Sequence, residues 1–554
     1  MPRQNGRSAF LKLLIDEGIS HLFGNPGTTE LPLMEVVPDF PELRYVLGLQ
    51  EAVVVAMADG YARASNRLAA CSLHVAPGLG NAIGALYNAK FSGSPLIVTA
   101  GQQEQGHGLL EPLLYDPLLP IAQPMVKWAV EATRAEDLPR IVRRAAKLAL
   151  TPPTGPVFIS LPGDVLDAEV DLDFGRPTRV DARVRPADAA LEQLAAMLLA
   201  ARHPMILAGQ ELAIHDAFAE AGELAELLGA AVFQQPIPYC AQFPSAHPAY
   251  LGALTRDQKQ VRALLEPFDL MLCLGADLLR MSVYSPMIPL PQGMPVAHIS
   301  ERDWELGKNY PTELALCANV KETLRALLPL VRARLTPAAA EAGRRRLAAL
   351  ALCNWSVQRE QARAEVMHAE RSTPIDPRYL MLRISETLPQ NAIVVDEALT
   401  SSASLPAFLH LRDCRAYYGL ASGGLGFGLP GAVGIALAQP GRPVVAVIGD
   451  GSAMYGVQAL WTAAHLKLPI TYVIANNRSY RILKERLVAM RASARFTGMD
   501  LRDPEIEFAR LARSFGVPAE RVTDPHGIVP ALRAALEAGG PRLIEVMVAD
   551  GFGT

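Results

Sequence analysis

The chain has 554 residues, of which 50% are hydrophobic and 19% are charged, and its formal net charge is -4. This composition is typical of a folded enzyme of about three domains, and the small charge gives no electrostatic basis for binding nucleic acid or an anionic membrane. The six cysteines form no Cys-x-x-Cys pair, which argues against a zinc site and a disulfide framework. No apolar run reaches the roughly 18 residues that span a bilayer, so we expect a cytoplasmic protein.

Apolar strand-like runs alternate with helical stretches along the whole chain and divide it into three α/β blocks. We predict a doubly wound parallel sheet in each block. The predicted domains are residues 1–180, 186–335 and 373–554, and a helical linker is predicted at residues 336–372. The first and third blocks are too different in sequence to establish whether their sheets are related.

Glu51, in the first block, precedes an apolar helical stretch, where it is either a carboxylate favoured by the helix dipole or a functional acid. Two glycine-rich runs are candidates for dinucleotide binding. Residues 426–431 match the Gly-x-Gly-x-x-Gly pattern, and residues 78–81 narrowly miss it. The first run follows other glycines rather than a strand, and Pro430 stands where a helix should already be turning. We therefore expect neither run to bind NAD.

The most informative motif lies in the third block. Gly449-Asp450-Gly451 follows an apolar run, residues 444–448, that is typical of a buried parallel strand. A helix-length stretch and a second apolar strand, residues 470–474, lead to Asn476-Asn477. Because the carboxyl ends of parallel strands meet at one sheet edge, the carboxylate and the amide oxygen should converge there. These hard oxygen ligands suit Mg²⁺ bound to a phosphate, with Ca²⁺ as an alternative.

This spacing resembles the diphosphate-binding motif of thiamine-diphosphate enzymes, in which Gly-Asp-Gly is followed after about two dozen residues by Asn-Asn. The resemblance implies a metal site formed by Asp450, Asn477 and Ser479, with Gly449 and Gly451 beside the diphosphate. It implies diphosphate contacts from the hydroxyl groups of Thr400, Ser452 and Tyr480.

The resemblance also assigns three groups to the organic part of the cofactor. Glu51 resembles the glutamate that protonates the aminopyrimidine ring and so triggers removal of the thiazolium C2 proton. The carbonyl of Gly423 would accept a hydrogen bond from the aminopyrimidine, and Leu425 would hold the cofactor in its bent shape.

The family can be narrowed further, because several segments resemble benzoylformate decarboxylase: residues 23–32, 73–78, 94–103, 126–128 and 423–427. That family converts aryl 2-oxo acids to aldehydes with thiamine diphosphate and Mg²⁺, and FAD is not expected. It forms homotetramers whose active sites lie between subunits, so Glu51 would come from one chain and Asp450 from its neighbour. His74 matches the histidine next to the thiazolium, and Thr28 stands where the family has a substrate-binding serine.

Two segments depart from the family. Its second active-site histidine lies in an Arg-aromatic-His-x-Tyr segment that here reads Arg280-Met281-Ser282-Val283-Tyr284, so Ser282 replaces it. Serine does not take up a proton near neutral pH, which makes His107 the nearest candidate for the missing role. Ile482 and Leu483 fall in the substrate-pocket segment, where Ile482 should narrow the pocket. The basic residues there either favour a more anionic substrate or form a solvated helix face: Arg481, Lys484 and Arg486.

Three functions remain open at this stage. The first is non-oxidative decarboxylation of a 2-oxo acid with some carboligation to 2-hydroxyketones. The second is a carboligase resembling acetohydroxyacid synthase, although such an enzyme usually binds FAD in its middle domain. The third, a cofactor-binding protein with little turnover, fits least well because Glu51, Asp450 and Asn477 are all present.

Overall fold

The computed structural model describes residues 3–282 and 284–552. In the N-terminal domain, six strands form a parallel sheet in the order β3-β2-β4-β5-β7-β6, and β1 pairs with β8 beside it. The strands are β1 (Arg3–Asn5), β2 (His21–Gly24), β3 (Arg44–Leu47), β4 (Ala69–Leu73), β5 (Leu96–Gln102), β6 (Ala129–Glu131), β7 (Val157–Pro162) and β8 (Glu169–Asp171). The helices are α1 (Gly6–Asp16), α2 (Leu31–Val36), α3 (Glu51–Ser65), α4 (Val75–Ser92), α5 (Leu118–Ala122), α6 (Leu138–Leu150) and α7 (Gly163–Asp167).

The middle domain contains a second six-stranded parallel sheet, in the order β11-β10-β9-β12-β13-β14. Its strands are β9 (Pro204–Ala208), β10 (Ala231–Gln234), β11 (Tyr250–Ala253), β12 (Leu270–Leu274), β13 (Val296–Ser300) and β14 (Leu314–Cys317). Its helices are α8 (Asp188–Ala200), α9 (Gln210–Ile214), α10 (Phe218–Leu228), α11 (Gln258–Leu265) and α12 (Val320–Arg334), and the segment after it forms α13 (Pro337–Ala351) and α14 (Trp355–Val366). Within the described residues no helix is long and apolar enough to cross a membrane.

The C-terminal domain has a third parallel sheet, in the order β16-β15-β17-β18-β20-β19. Its strands are β15 (Ile393–Glu397), β16 (Tyr417–Gly419), β17 (Val444–Gly449), β18 (Ile470–Asn476), β19 (Ala519–Val522) and β20 (Arg542–Met547). Its helices are α15 (Pro377–Thr387), α16 (Leu405–Phe408), α17 (Gly428–Ala438), α18 (Asp450–Ala453), α19 (Ala459–His465), α20 (Arg481–Arg491), α21 (Phe508–Ser514) and α22 (Ile528–Leu536).

The three predicted parallel sheets are therefore confirmed, while the exact domain boundaries stay predictions. The N-terminal and C-terminal sheets also share one topology. Numbered within its own sheet, each follows the order 2-1-3-4-6-5, whereas the middle sheet follows 3-2-1-4-5-6. The first and third blocks therefore share one sheet topology, a similarity that their sequences alone did not establish.

Helices α3 and α17 cross at close range and join the N-terminal domain to the C-terminal domain. A Cβ atom added to Gly60 would lie 2.3 Å from the carbonyl oxygen of Gly431, and one added to Gly434 would lie 1.9 Å from that of Met57. Only glycine fits at such a crossing. The contact fixes where α3 begins, at Glu51, and where the loop before α17 lies.

Candidate active site

Glu51 is the first residue of α3 and is buried. The Gln50 side chain caps the helix by accepting the backbone N–H groups of residues 52 and 53. The Glu51 carboxylate accepts hydrogen bonds from Asn25 Nδ2 and Asn81 Nδ2, each at 3.1 Å. Both oxygens are thus held in place by amide donors, and the carboxylate has one fixed orientation.

His74 lies between β4 and α4, and its Nδ1 is 2.8 Å from Glu30 Oε2. Glu30 is buried and also accepts the hydroxyl of Thr29 and the backbone N–H groups of Gly27 and Gly101. Thr29 Oγ1 is 3.1 Å from the same ring nitrogen of His74. The network fixes the ring through Nδ1 and leaves Nε2 as the nitrogen available to a substrate.

Glu51 and His74 both lie against Gly78 and are therefore neighbours. A Cβ atom added there would lie 3.3 Å from Glu51 Cγ and 3.4 Å from His74 Cβ. The two predicted catalytic residues therefore belong to one cluster, which we call the N-terminal half-site. The predicted substrate residue Thr28 is exposed at the edge of this cluster, and its neighbour Thr29 makes the contact with the histidine.

Asp450 and Asn477 converge as predicted, because β17 and β18 are adjacent and parallel. Asp450 Oδ2 and Asn477 Oδ1 both accept the backbone N–H of Ser479, at 3.2 and 2.9 Å. Burial raises the pKa of Asp450 to about 6, against the lowering effect of the backbone N–H groups of Gly451 and Ser479. In the part of the chain that the structure describes, the buried Ser479 hydroxyl has no hydrogen-bond partner.

This donor set fits a hard divalent cation. It offers one carboxylate, one amide oxygen and one unpaired hydroxyl, and the described residues contain no cluster of three His, Cys, Asp or Glu that would suit a softer metal. Gly451 is required beside it, since a Cβ atom there would lie 2.6 Å from the Tyr480 ring. Of the other predicted diphosphate contacts, Ser452 is buried in α18, and Thr400 is half-buried after β15, the strand that pairs with β17.

The glycine loop before α17 has a constrained backbone. Gly423 and Gly426 adopt φ values of +88° and +107°, which other residues rarely take. Leu425 is half-buried between them. The argument from Pro430 against a dinucleotide site does not hold, because α17 begins at Gly428 and Pro430 lies in its first turn, where its missing N–H is not needed. That this run binds no NAD stays a prediction. We call this loop and the Asp450 cluster the C-terminal half-site.

The remaining predicted pocket residues are not part of either cluster within one chain. Ile482 is half-buried and Leu483 is 48% exposed, both in the first turn of α20. His107 lies on an exposed loop, and Ser282 is exposed; Val283, next to it, lies outside the described residues.

Two of the three basic residues of this segment, for which an anionic substrate or a solvated helix face was left open, form ion pairs within the chain. Arg481 pairs with Glu485 at 2.7 Å, and the buried Lys484 pairs with Asp500 at 2.7 Å and contacts Asp550 at 3.6 Å. Their charges are therefore already compensated inside the protein.

The three domains match three family models of one kind: the N-terminal TPP binding domain of thiamine pyrophosphate enzymes at residues 4–112, the central domain at 191–327 and the C-terminal TPP binding domain at 401–546. The chain belongs to the thiamine pyrophosphate (thiamine diphosphate) enzymes. Within them it is a carboxy-lyase of the 2-oxo-acid decarboxylase type.

Individual relatives match over nearly the whole chain. Benzoylformate decarboxylase of Pseudomonas aeruginosa is 36% identical, over 97% of this chain and 98% of that protein. A Mycobacterium tuberculosis protein named as an acetolactate synthase large subunit is 30% identical, over 98% and 99%. The solved structure of the thiamine diphosphate-dependent 4-hydroxybenzoylformate decarboxylase of Rhodococcus jostii RHA1 superposes with a TM-score of 0.87 at 33% identity, covering 99% of each chain.

The sequence predicts Glu51 and His74 as the reacting groups but does not reveal the residues that hold them. Asn25, Glu30 and Asn81 fix Glu51 and His74, yet no residue of this set is more than an ordinary polar position in the sequence. Two of them, Asn25 and Glu30, lie in the segment 23–32 that carries the family resemblance, and this was the available signal.

Proposed function

We propose that the protein decarboxylates an aryl 2-oxo acid of the benzoylformate class to an aldehyde and CO₂, using thiamine diphosphate and Mg²⁺. The observation that carries the proposal is the N-terminal half-site, where a buried, doubly hydrogen-bonded Glu51 lies beside a histidine oriented by a carboxylate. A relative that is 36% identical over 97% of this chain is a benzoylformate decarboxylase, which supports an aryl substrate.

In this proposal each residue acts at a stated atom. When bound, the cofactor supplies the electron sink that makes loss of CO₂ possible. Glu51, once protonated, would give its proton to the aminopyrimidine nitrogen of the bound cofactor, and His74 would hold or deliver a proton through Nε2. Asp450, Asn477 and Ser479 would hold Mg²⁺, or Ca²⁺ in its place, and the cation would compensate the charge of a diphosphate.

We further propose a homotetramer whose active sites each combine two chains. Among the described residues, the glycine loop is hydrogen-bonded to Asn88 of α4, but no hydrogen bond or ion pair joins that loop or the Asp450 cluster to Glu51 or His74 within one chain. Large apolar side chains are exposed near both in sequence: Leu49, two residues before Glu51, and Met454 and Tyr455, four and five residues after Asp450. Apolar surface at both half-sites supports their burial against another copy.

Mixed variants test this arrangement directly. Glu51→Gln and Asp450→Ala chains are each expected to be inactive, but co-expression of the two should restore activity, because a mixed pair contains one site with both native residues. If each site were built within one chain, every chain of the mixture would carry a defective site and no activity would return.

A carboligase is the second candidate function. Ser282 removes the histidine that the decarboxylase family uses for protonation, and a relative named as an acetolactate synthase subunit matches at 30% identity. We therefore propose that some carboligation to 2-hydroxyketones accompanies decarboxylation.

We propose that the middle domain binds no flavin, and the contacts at the edge of its sheet support this proposal. The strand order reverses between β9 and β12, where nucleotides bind in such sheets. A Cβ atom added to Gly209, after β9, would lie 2.2 Å from Ala276 Cα, after β12. Arg302 fills the same edge, paired with Asp277 at 2.7 Å and Glu211 at 3.3 Å.

A substrate screen tests the main proposal. Purified protein with Mg²⁺ and thiamine diphosphate is given aryl, branched and short-chain 2-oxo acids, and CO₂, aldehyde and 2-hydroxyketone are measured. We expect the highest kcat/KM with benzoylformate and aldehyde as the main product. A preference for pyruvate with 2-hydroxyketone as the main product would favour the carboligase instead.

A further inference from the structure

Glu397 is a buried carboxylate that the proposed mechanism does not use. It is the last residue of β15 and is 2% exposed. No basic side chain pairs with it within residues 3–282 and 284–552. A buried carboxylate without a counter-ion is costly unless hydrogen-bond donors replace water, so the donors around Glu397 show what it does.

Those donors are backbone N–H groups of the glycine loop. Gly426 N–H donates to Oε1 at 2.6 Å, Gly428 N–H donates to Oε2, and the N–H of Phe427 between them also contributes. Successive N–H groups that converge in this way form an anion-binding nest, here at the N-terminal end of the 11-residue helix α17. The protein's own carboxylate occupies the nest.

The geometry leaves little freedom at this contact. A Cβ atom on Gly428 would lie 2.3 Å from Ile448 Cδ1 and 3.0 Å from Glu397 Cβ, so the backbone lies directly against the carboxylate and the sheet. At the other end of the loop, the backbone N–H groups of Ala421 and Ser422 donate to Asn88 Oδ1 at 3.1 and 3.2 Å. The residues between these two anchors are Gly423, Gly424 and Leu425.

We propose that Glu397 is a positioning residue, whose ionised carboxylate holds residues 426–428 and thereby sets the loop that presents Gly423 and Leu425 to the cofactor. This inference rests on the proposed roles of Gly423 and Leu425. Glu397 itself touches neither substrate nor cofactor in this assignment; it acts through the loop backbone.

The ionisation state of Glu397 follows from its surroundings. Burial raises the pKa of Glu397 to about 7, and the neighbouring Asp396 carboxylate also raises it, whereas the N–H groups of Gly426 and Gly428 lower it. The packed neighbours from α17 and β17 at this point are Gly428 and Ile448, which carry no charge. At pH 8 the carboxylate can accept N–H bonds on both oxygens, and protonation below about pH 7 makes one oxygen a donor that faces another donor.

Hydrogen exchange of the full-length protein without cofactor tests the contact itself. At pH 8, Glu397→Gln should accelerate amide exchange in residues 423–428, because the amide NH₂ faces one of the N–H donors. The matched control is Glu17→Gln, another buried carboxylate, which pairs with Arg143 and Arg179 on the far side of the N-terminal domain. This control should leave exchange in the loop unchanged. In the wild type, loop exchange corrected for its intrinsic pH dependence should rise as pH falls through about 7, and in Glu397→Gln it should not.

Cofactor affinity tests whether this contact, by positioning the loop, affects cofactor binding. Glu397→Gln should weaken thiamine diphosphate binding by about tenfold or more, the effect of one unsatisfied buried donor, whereas Glu17→Gln should bind normally. If Glu397→Gln does not fold, Glu397→Asp is measured in the same way, since it keeps the charge but withdraws the oxygens from the N–H groups.

The possible outcomes are distinguishable. Unchanged exchange in the loop, or faster exchange with normal cofactor affinity, overturns the positioning role while leaving the proposed function intact. Wild-type protein that shows no affinity for thiamine diphosphate contradicts the proposed function and removes the loop's role with it. Faster exchange together with weaker cofactor binding supports the inference.

Discussion

The two half-sites are built in different ways. In the N-terminal half-site the functional groups are side chains already paired with other side chains: Glu51 with two asparagines, and His74 with Glu30. In the C-terminal half-site the framework is mostly backbone, and its polar side chains are incompletely satisfied, with Asp450 lacking a counter-ion and Ser479 lacking a partner among the described residues.

This difference indicates that the two half-sites have different roles, proton transfer in one and cofactor binding in the other. Groups that are held in place before any ligand binds suit proton transfer, which requires fixed geometry. Groups that are buried and unsatisfied suit binding of a cation and a diphosphate, which complete their coordination. Changes in the N-terminal half-site should therefore affect chemistry, and changes in the C-terminal half-site should affect cofactor retention.

The largest expected effect is that of Glu51→Gln. The amide keeps the hydrogen bonds around it in part but gives no proton to the aminopyrimidine, so kcat should fall by about 10²- to 10⁴-fold while the affinity for thiamine diphosphate stays nearly normal. Turnover and hydrogen–deuterium exchange at the cofactor's C2 position provide the measurement. Normal C2 exchange in the variant would remove Glu51 from the mechanism.

Asp450→Ala should have the opposite signature. It removes the anionic ligand of the metal and leaves the diphosphate charge poorly compensated, so cofactor affinity should fall by about 10²-fold or more. Metal content and cofactor binding of the purified variant are measured against Asp524→Ala, which removes an exposed carboxylate of the same domain. Retention of metal and cofactor at wild-type levels would disprove the assignment.

Much of the C-terminal half-site could be predicted from the sequence, because the spacing of its motif along the chain indicates which residues the fold brings together. The interval between Asp450 and Asn477 contains α18, α19 and β18, and the parallel pairing of β18 with β17 then brings their side chains together. Glycine positions in the loop were likewise visible. The contact of Glu397 with residues 426–428 could not be predicted. A tertiary contact between a strand end and a loop some 30 residues later leaves no local pattern in the sequence.

The N-terminal half-site could be predicted less completely from local sequence patterns. Glu51 and His74 were identified through family resemblance, but their supporting residues come from separate elements that only the fold brings together, such as Asn25 after β2 and Asn81 in α4. The proline in α17 shows a further limit. Position within a helix decides whether proline is tolerated, and the start of α17 could not be located from composition alone.

Glu30→Gln gives a smaller effect and tests whether the N-terminal half-site acts as a unit. Loss of the negative partner should loosen the orientation of His74 and lower kcat by about tenfold, with little change in cofactor affinity. Because Glu30 acts through His74, the double variant Glu30→Gln/His74→Ala should be no slower than His74→Ala alone. Additive losses in this double-mutant cycle would show that the two residues act independently.

The smallest expected effect concerns the position of the missing histidine. Ser282→His places an ionisable group where the decarboxylase family has one, so it should raise the ratio of aldehyde to 2-hydroxyketone by a few-fold with benzoylformate. If His107 supplies the proton instead, His107→Ala should lower that ratio while affecting CO₂ release less. Both residues are exposed in the single chain, and a role for either requires that a neighbouring copy covers it. Product ratios from the wild type and both variants, measured in the same oligomeric state, decide the point. A ratio that neither substitution changes would assign protonation to water or to the cofactor's own amino group.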